Sequence, residues 1–276
     1  MNKKNLIKKT TTSVTVLFTL LSSSHAVTIA SDDFSSGAAS GGSGWDNNWT
    51  TGSNGTSAGS VDLNASTTPL NANGDYANIT GSGGNVTQGI HRDYTSALSS
   101  GTNQEHTISF LFRLDTLPVA TGDPSRGLVT HGATSFGLGG NSTWAFYVQN
   151  GNFFYFSGDG TGSFNGAATD SGATAAVGDL YSVSINNRIG ADTGGPATGG
   201  EWDLLVTNLT TSATVLDLTD LEFRTNTVPT NAFIGLGVAG NNVTSFDQLN
   251  VDVIPEPSSA ILLGLGGFGL LTRRRK

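Results

Sequence analysis

Apolar and polar residues alternate with a period of two in many short segments of this chain. In residues 106–115, Ile108, Phe110, Phe112 and Leu114 alternate with mostly polar neighbours, as in a β-strand with one buried face. Further strands are predicted at residues 181–186, 202–206, 213–218, 233–239 and 246–253, and at residues 28–34, 76–80 and 127–131. No stretch between residues 27 and 253 has a convincing helical period, so the pattern predicts an all-β domain.

Asn150-Gly151 lies between two segments rich in aromatic residues, at residues 144–149 and 152–157. The dipeptide predicts a tight hairpin, because both turn positions need positive φ. Rings fall on both faces of this hairpin, whereas a half-exposed sheet should have one polar face. Trp144, Phe154 and Phe156 are therefore candidates to stack on a ligand such as a sugar ring. The alternative is that a second sheet covers one face and a Gly-rich loop covers the other.

The number and spacing of the strands indicate one undivided domain at residues 27–253. About ten short strands over about 225 residues are typical of a single all-β unit. A two-sheet antiparallel jelly-roll sandwich buries one face of each sheet and limits open edges. Residues 50–54 are interpreted as a polar loop. The predicted fold is therefore a jelly roll, with a signal peptide at residues 1–26 before it and a short hydrophobic helix within residues 254–276 after it.

Composition narrows the classes of function. The 276 residues include 38 Gly and no Cys, which excludes a disulfide framework, a thiolate zinc site and thiol catalysis. Residues 27–254 carry 20 acidic residues, five arginines and no lysine, a net charge of −15. Such a surface repels phosphate backbones, so nucleic acid is excluded as a partner. Divalent cations and neutral ligands remain compatible with it.

The first 26 residues follow the plan of a secretory signal. Lysines at the start precede an apolar run at residues 14–21 and a small-residue exit at Ser24-His25-Ala26. Positive charge holds the N-terminus inside while the apolar run enters the translocation channel. We predict removal by signal peptidase after Ala26, or alternatively after Ala30.

The last 23 residues have three parts in a fixed order. Pro255-Glu256-Pro257 precedes an apolar run at residues 258–271, and the chain ends in Arg273, Arg274, Arg275 and Lys276. The apolar run would rise about 21 Å as a helix, less than the roughly 30 Å of a hydrocarbon core, so a permanent anchor is marginal. Because positive charge stays cytoplasmic, the domain before Pro255 is expected on the other side of the membrane.

This arrangement resembles the PEP-CTERM sorting domain of Gram-negative bacteria, over residues 254–276. The resemblance implies cleavage by a membrane-embedded exosortase after transient anchoring in the inner membrane. It also implies delivery to the cell surface or to the extracellular polysaccharide matrix.

Both ends of the predicted domain resemble the concanavalin-A and laminin-G type of sandwich. The residues concerned are Ser31-Asp32-Asp33-Phe34, Gly44-Trp45, Trp49 and residues 245–251. The resemblance implies that the first and last strands lie side by side, and that the protein contacts glycan or matrix, with a structural calcium ion on the rim in some members. If those strands pair, Asp32, Asp33 and Asp247 lie near one another and are candidate calcium ligands. The alternative is that these acidic residues serve solubility alone.

A search for catalytic residues gives none, and no cofactor-binding residue is predicted. Glu201-Trp202-Asp203 begins the Glu-x-Asp-x-x-Glu string of some jelly-roll glycosidases, but position 206 is Val. The histidines of the domain lack zinc-site spacing and are interpreted as ordinary polar residues of strands or loops. The sequence therefore predicts an exported, non-catalytic surface or matrix protein that binds glycan or exopolysaccharide. The alternatives are an exported glycoside hydrolase or lyase of the same fold, and a purely structural surface adhesin.

Overall fold

The computed structural model describes residues 26–54, 59–72, 74–83, 87–98, 105–116, 126–132, 142–156, 168–189, 199–224 and 232–253. The predicted signal peptide, apart from Ala26, and the predicted C-terminal helix lie outside these residues. Among the described residues, no helix is long and apolar enough to cross a membrane.

The described residues form β-strands and one short 3-10 turn at Thr95–Ala97. In chain order the strands are β1 (Val27–Asp32), β2 (Thr50–Asn54), β3 (Ser60–Ala65), β4 (Tyr76–Thr80), β5 (Thr87–Asp93), β6 (Glu105–Thr116), β7 (Arg126–Gly132), β8 (Ser142–Gln149), β9 (Asn152–Phe156), β10 (Ala168–Thr174), β11 (Leu180–Ile189), β12 (Gly200–Asn208), β13 (Ala213–Glu222), β14 (Phe233–Ala239) and β15 (Val243–Val253).

Two antiparallel sheets form a sandwich, which confirms the predicted fold class. The eight-stranded sheet has the order β13-β12-β11-β6-β15-β4-β3, and β1 also pairs with β15. The seven-stranded sheet has the order β10-β9-β8-β7-β14-β5-β2. Neighbours in each sheet are often distant in sequence, as in a jelly roll.

Side chains from both sheets meet in one aromatic core. Trp202 of β12 stacks on Trp144 of β8 with ring centroids 5.2 Å apart, and Phe112 of β6 meets Phe146 of β8 at 6.3 Å. In β6 and β11 buried and partly buried positions alternate, so the period-two pattern in the sequence does mark the inner face. In a chain without disulfides, this burial is the main source of stability.

The first and last strands of the domain pair side by side, as expected from the resemblance to concanavalin-type sandwiches. Val27 lies opposite Val253, and Asp32 lies opposite Leu249. Along its opposite edge β15 pairs with β6. The first residues of β15 pair with β4, on the same edge as β1. The last strand of the domain is therefore an interior strand of the larger sheet.

The predicted hairpin is confirmed, whereas four strands were missed. Asn150 and Gly151 have φ of +51° and +79°, as a tight hairpin turn between β8 and β9 requires. Residues 50–54, interpreted as a polar loop, instead form β2 against β5. Strands β3, β5 and β10 were missed as well, because each has few apolar residues to carry a pattern.

Candidate functional site

A polar pocket of about 380 Å³ lies where β1, β15 and the segment after β1 come together. This volume falls in the range of small-molecule sites. Its lining consists of hydroxyl, carboxylate and amide side chains and one glycine: Ser31, Asp32, Asp33, Gly42, Ser43, Gln248 and Asn250. We call it the β1–β15 pocket. Two of the three predicted calcium ligands, Asp32 and Asp33, are in this lining.

The segment after β1 folds back onto β1 through backbone hydrogen bonds. Ser31 N donates to Ser43 O at 2.9 Å, and Ser43 N donates to Ser31 O at 2.8 Å. The side chain of Trp45 also donates to Ser31 O, at 3.0 Å. Gly42 has φ of +73°, and a Cβ at this position would lie 2.2 Å from Ser31 O. A glycine is therefore required at this wall of the pocket.

A buried ion pair holds the same segment from behind. Arg92 Nη1 lies 2.9 Å from Asp32 Oδ2, and the two side chains are 4% and 2% exposed. Arg92 also donates to two backbone carbonyls of the segment, Gly41 O at 2.6 Å and Asn47 O at 2.7 Å. Burial lowers the pKa of Arg92, and the charge of Asp32 partly opposes this shift. The ion pair therefore fixes the pocket wall at the cost of desolvating both charges.

Aromatic rings surround this ion pair. The Arg92 guanidinium lies over the rings of Trp45 and Trp49, 5.0 and 5.5 Å from their centroids. Trp49 Nε1 donates to Asp32 Oδ2 at 2.8 Å, and Phe34 N donates to Asp32 Oδ1 at 2.8 Å. Both carboxylate oxygens of Asp32 thus have protein donors, so Asp32 serves mainly to hold the pocket together.

The opposite wall comes from a bulge in β15. The register of β15 against β6 shifts between Asp247 and Asn250, and Gln248 has φ of +50°. Bulges of this kind redirect side chains out of the regular ladder. Asn250 Nδ2 donates to the backbone carbonyl of Gln248 at 2.9 Å. Among the described residues, the side-chain amide of Gln248 has no hydrogen-bond partner and remains free for a ligand.

Two of the three predicted carboxylates, Asp33 and Asp247, have pKa shifts of opposite sign. Asp33 is exposed, and hydrogen bonds from Ser35 Oγ and Ser35 N keep its pKa below the usual value. Asp247 is 0% exposed and lies next to the lining residue Gln248. Burial, with the added charges of Asp33 and Asp32, raises the pKa of Asp247 to about 7.

The calcium site stays a prediction. Within the described residues, no group of three His, Cys, Asp or Glu side chains is placed to hold a metal ion. Asp32 is paired with Arg92, and Asp247 accepts hydrogen bonds from Gln248 N and from Asn71 Nδ2. These contacts use carboxylate oxygens that a calcium ion would need.

Burial corrects the prediction of ligand-stacking rings. Trp144 and Phe156 are 0% and 1% exposed, so neither ring offers a face to a ligand. Trp144 stacks between His131 and Trp202, and its Nε1 donates to Asn187 Oδ1 at 2.6 Å. Phe154 is half-buried against Tyr147, with ring centroids 5.2 Å apart. The alternative interpretation, in which both faces of the hairpin are covered, describes these rings better.

The acidic string that begins at Glu201 surrounds an arginine. Arg188 lies 3.1 Å from Glu201, 2.5 Å from Asp203 and 2.9 Å from Asp220. Hydrogen bonds to Asp203 and Glu201 raise the pKa of Arg188. The three carboxylates share one guanidinium on a sheet face, an arrangement that differs from the two free carboxyl groups of a glycosidase.

Two histidines that the sequence analysis treated as ordinary polar residues lie in the core. His106 Nε2 is 3.0 Å and His131 Nε2 is 2.8 Å from the hydroxyl oxygen of Tyr94, and all three residues are 0% exposed. Because Tyr94 has one hydroxyl proton, one histidine accepts from it and the other donates to it. The alternation in β6 could have predicted that His106 is buried, because His106 lies two residues before Ile108 and four before Phe110 and therefore on the same face of the strand.

Comparison with known families finds one match, at the C-terminus. Residues 253–276 match the PEP-CTERM protein-sorting motif. The motif marks an exported protein of Gram-negative bacteria that is held transiently at the membrane and processed by an exosortase. The predicted sorting residues fall within the match and outside the described residues: Pro255, Glu256, Pro257, Arg273, Arg274 and Arg275.

Solved structures show similarity in fold. The marine PL-14 alginate lyase from Aplysia kurodai has a TM-score of 0.50 and 11% identity, covering 70% of this chain and 86% of that chain. The endo-β-1,4-glucuronan lyase from the fungus Trichoderma reesei has a TM-score of 0.48 and 15% identity, covering 75% and 90%. A cellulose-induced protein has a TM-score of 0.47 and 14% identity, covering 80% and 95%.

At these identities the structural similarity shows a shared sandwich fold and does not indicate a shared activity. The comparison with curated proteins gives no match. The narrower resemblance to concanavalin-A and laminin-G sandwiches stays a prediction.

Proposed function

We propose that this exported, exosortase-sorted sandwich binds glycan or exopolysaccharide in the β1–β15 pocket and does so without catalysis. The observation that carries the proposal is the lining of that pocket. Hydroxyl, amide and carboxylate groups from three chain segments face one cavity, and such groups match the alternating donors and acceptors of sugar hydroxyls. The Arg92–Asp32 ion pair fixes the wall in advance, which lowers the entropic cost of binding.

The charge states of the pocket carboxylates support binding over hydrolysis. Acid-base cleavage of a glycosidic bond needs two free carboxyl groups on either side of the bond. Asp32 is held by Arg92, and Asp33 is the other carboxylate in the lining. The alternative of a carbohydrate-active enzyme would need a carboxyl with a raised pKa in the pocket; Asp247 has such a pKa, but its side chain is 0% exposed and lies outside the pocket lining.

The test is retention of the purified full-length chain on immobilised polysaccharides. We expect binding to at least one glycan, weakened about tenfold in Asn250→Ala, because the pocket loses a donor and an acceptor. Thr214→Ala, an exposed change on β13 of the same sheet, is the matched control and should bind as the unchanged protein does. Absence of retention on every polysaccharide would overturn the proposal, and release of shortened oligosaccharides would establish the enzyme instead.

A further inference from the structure

The β1–β15 pocket has an unbalanced charge. Two of its lining residues are aspartates, and none of its lining residues is basic. The nearby Arg92 forms an ion pair with Asp32 and donates hydrogen bonds to two backbone carbonyls behind the pocket wall. Asp33 remains ionised, because Ser35 donates two hydrogen bonds to its Oδ1 and lowers its pKa. The cavity therefore presents net negative charge to a ligand.

The buried carboxyl of Asp247 lies near the two pocket aspartates. Its carboxyl is buried beside Gln248, and the charges of Asp33 and Asp32 add to burial in raising its pKa. The negative charge of Asp33 also disfavours any ligand that brings a carboxylate, sulfate or phosphate to the pocket. Residues 27–254 contain no lysine and carry a net charge of −15. This charge also repels an anionic polymer as it approaches the protein.

The lining also supplies the acceptors that a cation needs. Among the described residues, Asp33 Oδ2 has no hydrogen-bond partner, and the amide of Gln248 has none. The hydroxyl oxygens of Ser31 and Ser43 lie 3.2 Å apart and can accept as well as donate. A primary ammonium carries three donors, which matches one carboxylate oxygen, one amide oxygen and one hydroxyl.

From this lining we propose that the β1–β15 pocket selects glycans that carry free amino groups, that is, hexosamine units with an unacetylated, protonated amine. The assignment rests on the proposed glycan-binding function and names its ligand class. In it, the ammonium group lies at Asp33, while neighbouring sugar hydroxyls pair with Ser43 and Asn250. Uronic-acid chains, the substrates named for the alginate and glucuronan lyases of similar fold, are disfavoured here.

The experiment compares three tetrasaccharides by isothermal titration calorimetry at pH 6: glucosamine, N-acetylglucosamine and an alginate-type uronate. We expect the glucosamine oligomer to bind at least tenfold more tightly than the other two, with affinity falling as salt is raised. Asp33→Asn should weaken glucosamine binding about two- to fivefold, the range of a solvent-exposed ion pair. The same variant should weaken N-acetylglucosamine binding less, so that the preference for glucosamine narrows, and Asp217→Asn, a matched loss of charge on exposed β13, should change neither affinity.

The outcomes separate this inference from the function on which it rests. If all three oligomers fail to bind but an immobilised polysaccharide retains the protein, the function stands and the amino-sugar assignment is wrong. If no polysaccharide retains the protein either, the glycan-binding function itself is contradicted. If the uronate or the acetylated oligomer binds as tightly as glucosamine, and Asn250→Ala weakens that binding, the function stands and the amino-sugar assignment is wrong. Equal binding of a lysine-rich peptide overturns the glycan assignment, and binding that requires added Ca²⁺ and is lost in EDTA overturns the ammonium assignment.

Discussion

Protonation of His131 gives a quantitative link between the core and the pH dependence of stability. His131 is 0% exposed, stacks on Trp144 at 5.4 Å and hydrogen-bonds Tyr94. Burial, followed by the nearby His106, lowers the pKa of His131 from 6.5 to about 3. The folded protein therefore keeps this imidazole neutral at pH values where the unfolded chain protonates it.

The magnitude follows from the two pKa values. The stability that the neutral histidine contributes is fully present above pH 6.5 and is lost as pH falls from 6.5 towards 3. A difference of about 3.5 pKa units corresponds to a loss of about 5 kcal/mol in the free energy of unfolding when it is complete. At pH 5 the loss is about 2 kcal/mol, and at pH 4 it is about 3 kcal/mol.

The assay is urea unfolding of the protein and of His131→Phe at several pH values between 4 and 8. Phenylalanine keeps a ring against Trp144 but cannot be protonated, so the variant loses a hydrogen bond at every pH and lacks the histidine's pH dependence. The difference in unfolding free energy should thus shift by about 3 kcal/mol in favour of the variant between pH 8 and pH 4. His91→Phe, at a half-buried histidine whose pKa is also lowered by burial, should give a smaller shift of the same sign. A difference curve for His131→Phe that is flat between pH 8 and pH 4 would refute the reasoning.

Three further predictions concern the pocket walls and are measured by urea unfolding. Arg92→Leu leaves Asp32 buried without its partner and should cost about 3–5 kcal/mol, with partial recovery when Asp32→Asn is added; no recovery would contradict this cause. Gly44→Ala puts a Cβ 1.8 Å from Ile29 O at φ of +78° and should cost more than about 1 kcal/mol, so an unchanged midpoint would contradict the backbone geometry. Asp247→Asn should stabilise the fold above pH 7, because the folded pKa of about 7 lies above the ordinary 3.8 and stability is lost as pH rises between them. We expect a gain of about 4 kcal/mol above pH 7 that nearly vanishes at pH 4, and a pH-independent effect would contradict this cause.

The sequence predicted strands well wherever one face of a strand is uniformly apolar. In β6, Ile108, Phe110 and Phe112 point into the core, and the pattern was plain. In β5 the buried positions include Gln88, Ile90 and Arg92, so the apolar alternation is broken by the very residue that holds the pocket wall. A strand whose inward-facing side chains are polar has no alternation of apolar and polar residues, so the sequence pattern does not predict it.

The candidate site was predictable in part. The resemblance at the two ends of the domain brought Asp32, Asp33 and Asp247 together, and the β1–β15 pairing supports that proximity. The partner of Asp32 is Arg92, 60 residues away in the chain, and a contact of that range depends on the completed topology. The bulge that turns Gln248 towards the pocket leaves no recognisable mark in the sequence, since residues other than glycine adopt its positive φ.

The place of β15 in the larger sheet has a consequence for folding. This strand is the last of the domain in chain order, yet it lies between β6 on one edge and β1 and β4 on the other. Until it arrives, the eight-stranded sheet is divided, and β1 has no partner strand among the described residues. The larger sheet therefore depends on its last strand: without residues 243–253, β4 and β6 lose their common neighbour and β1 loses its partner strand.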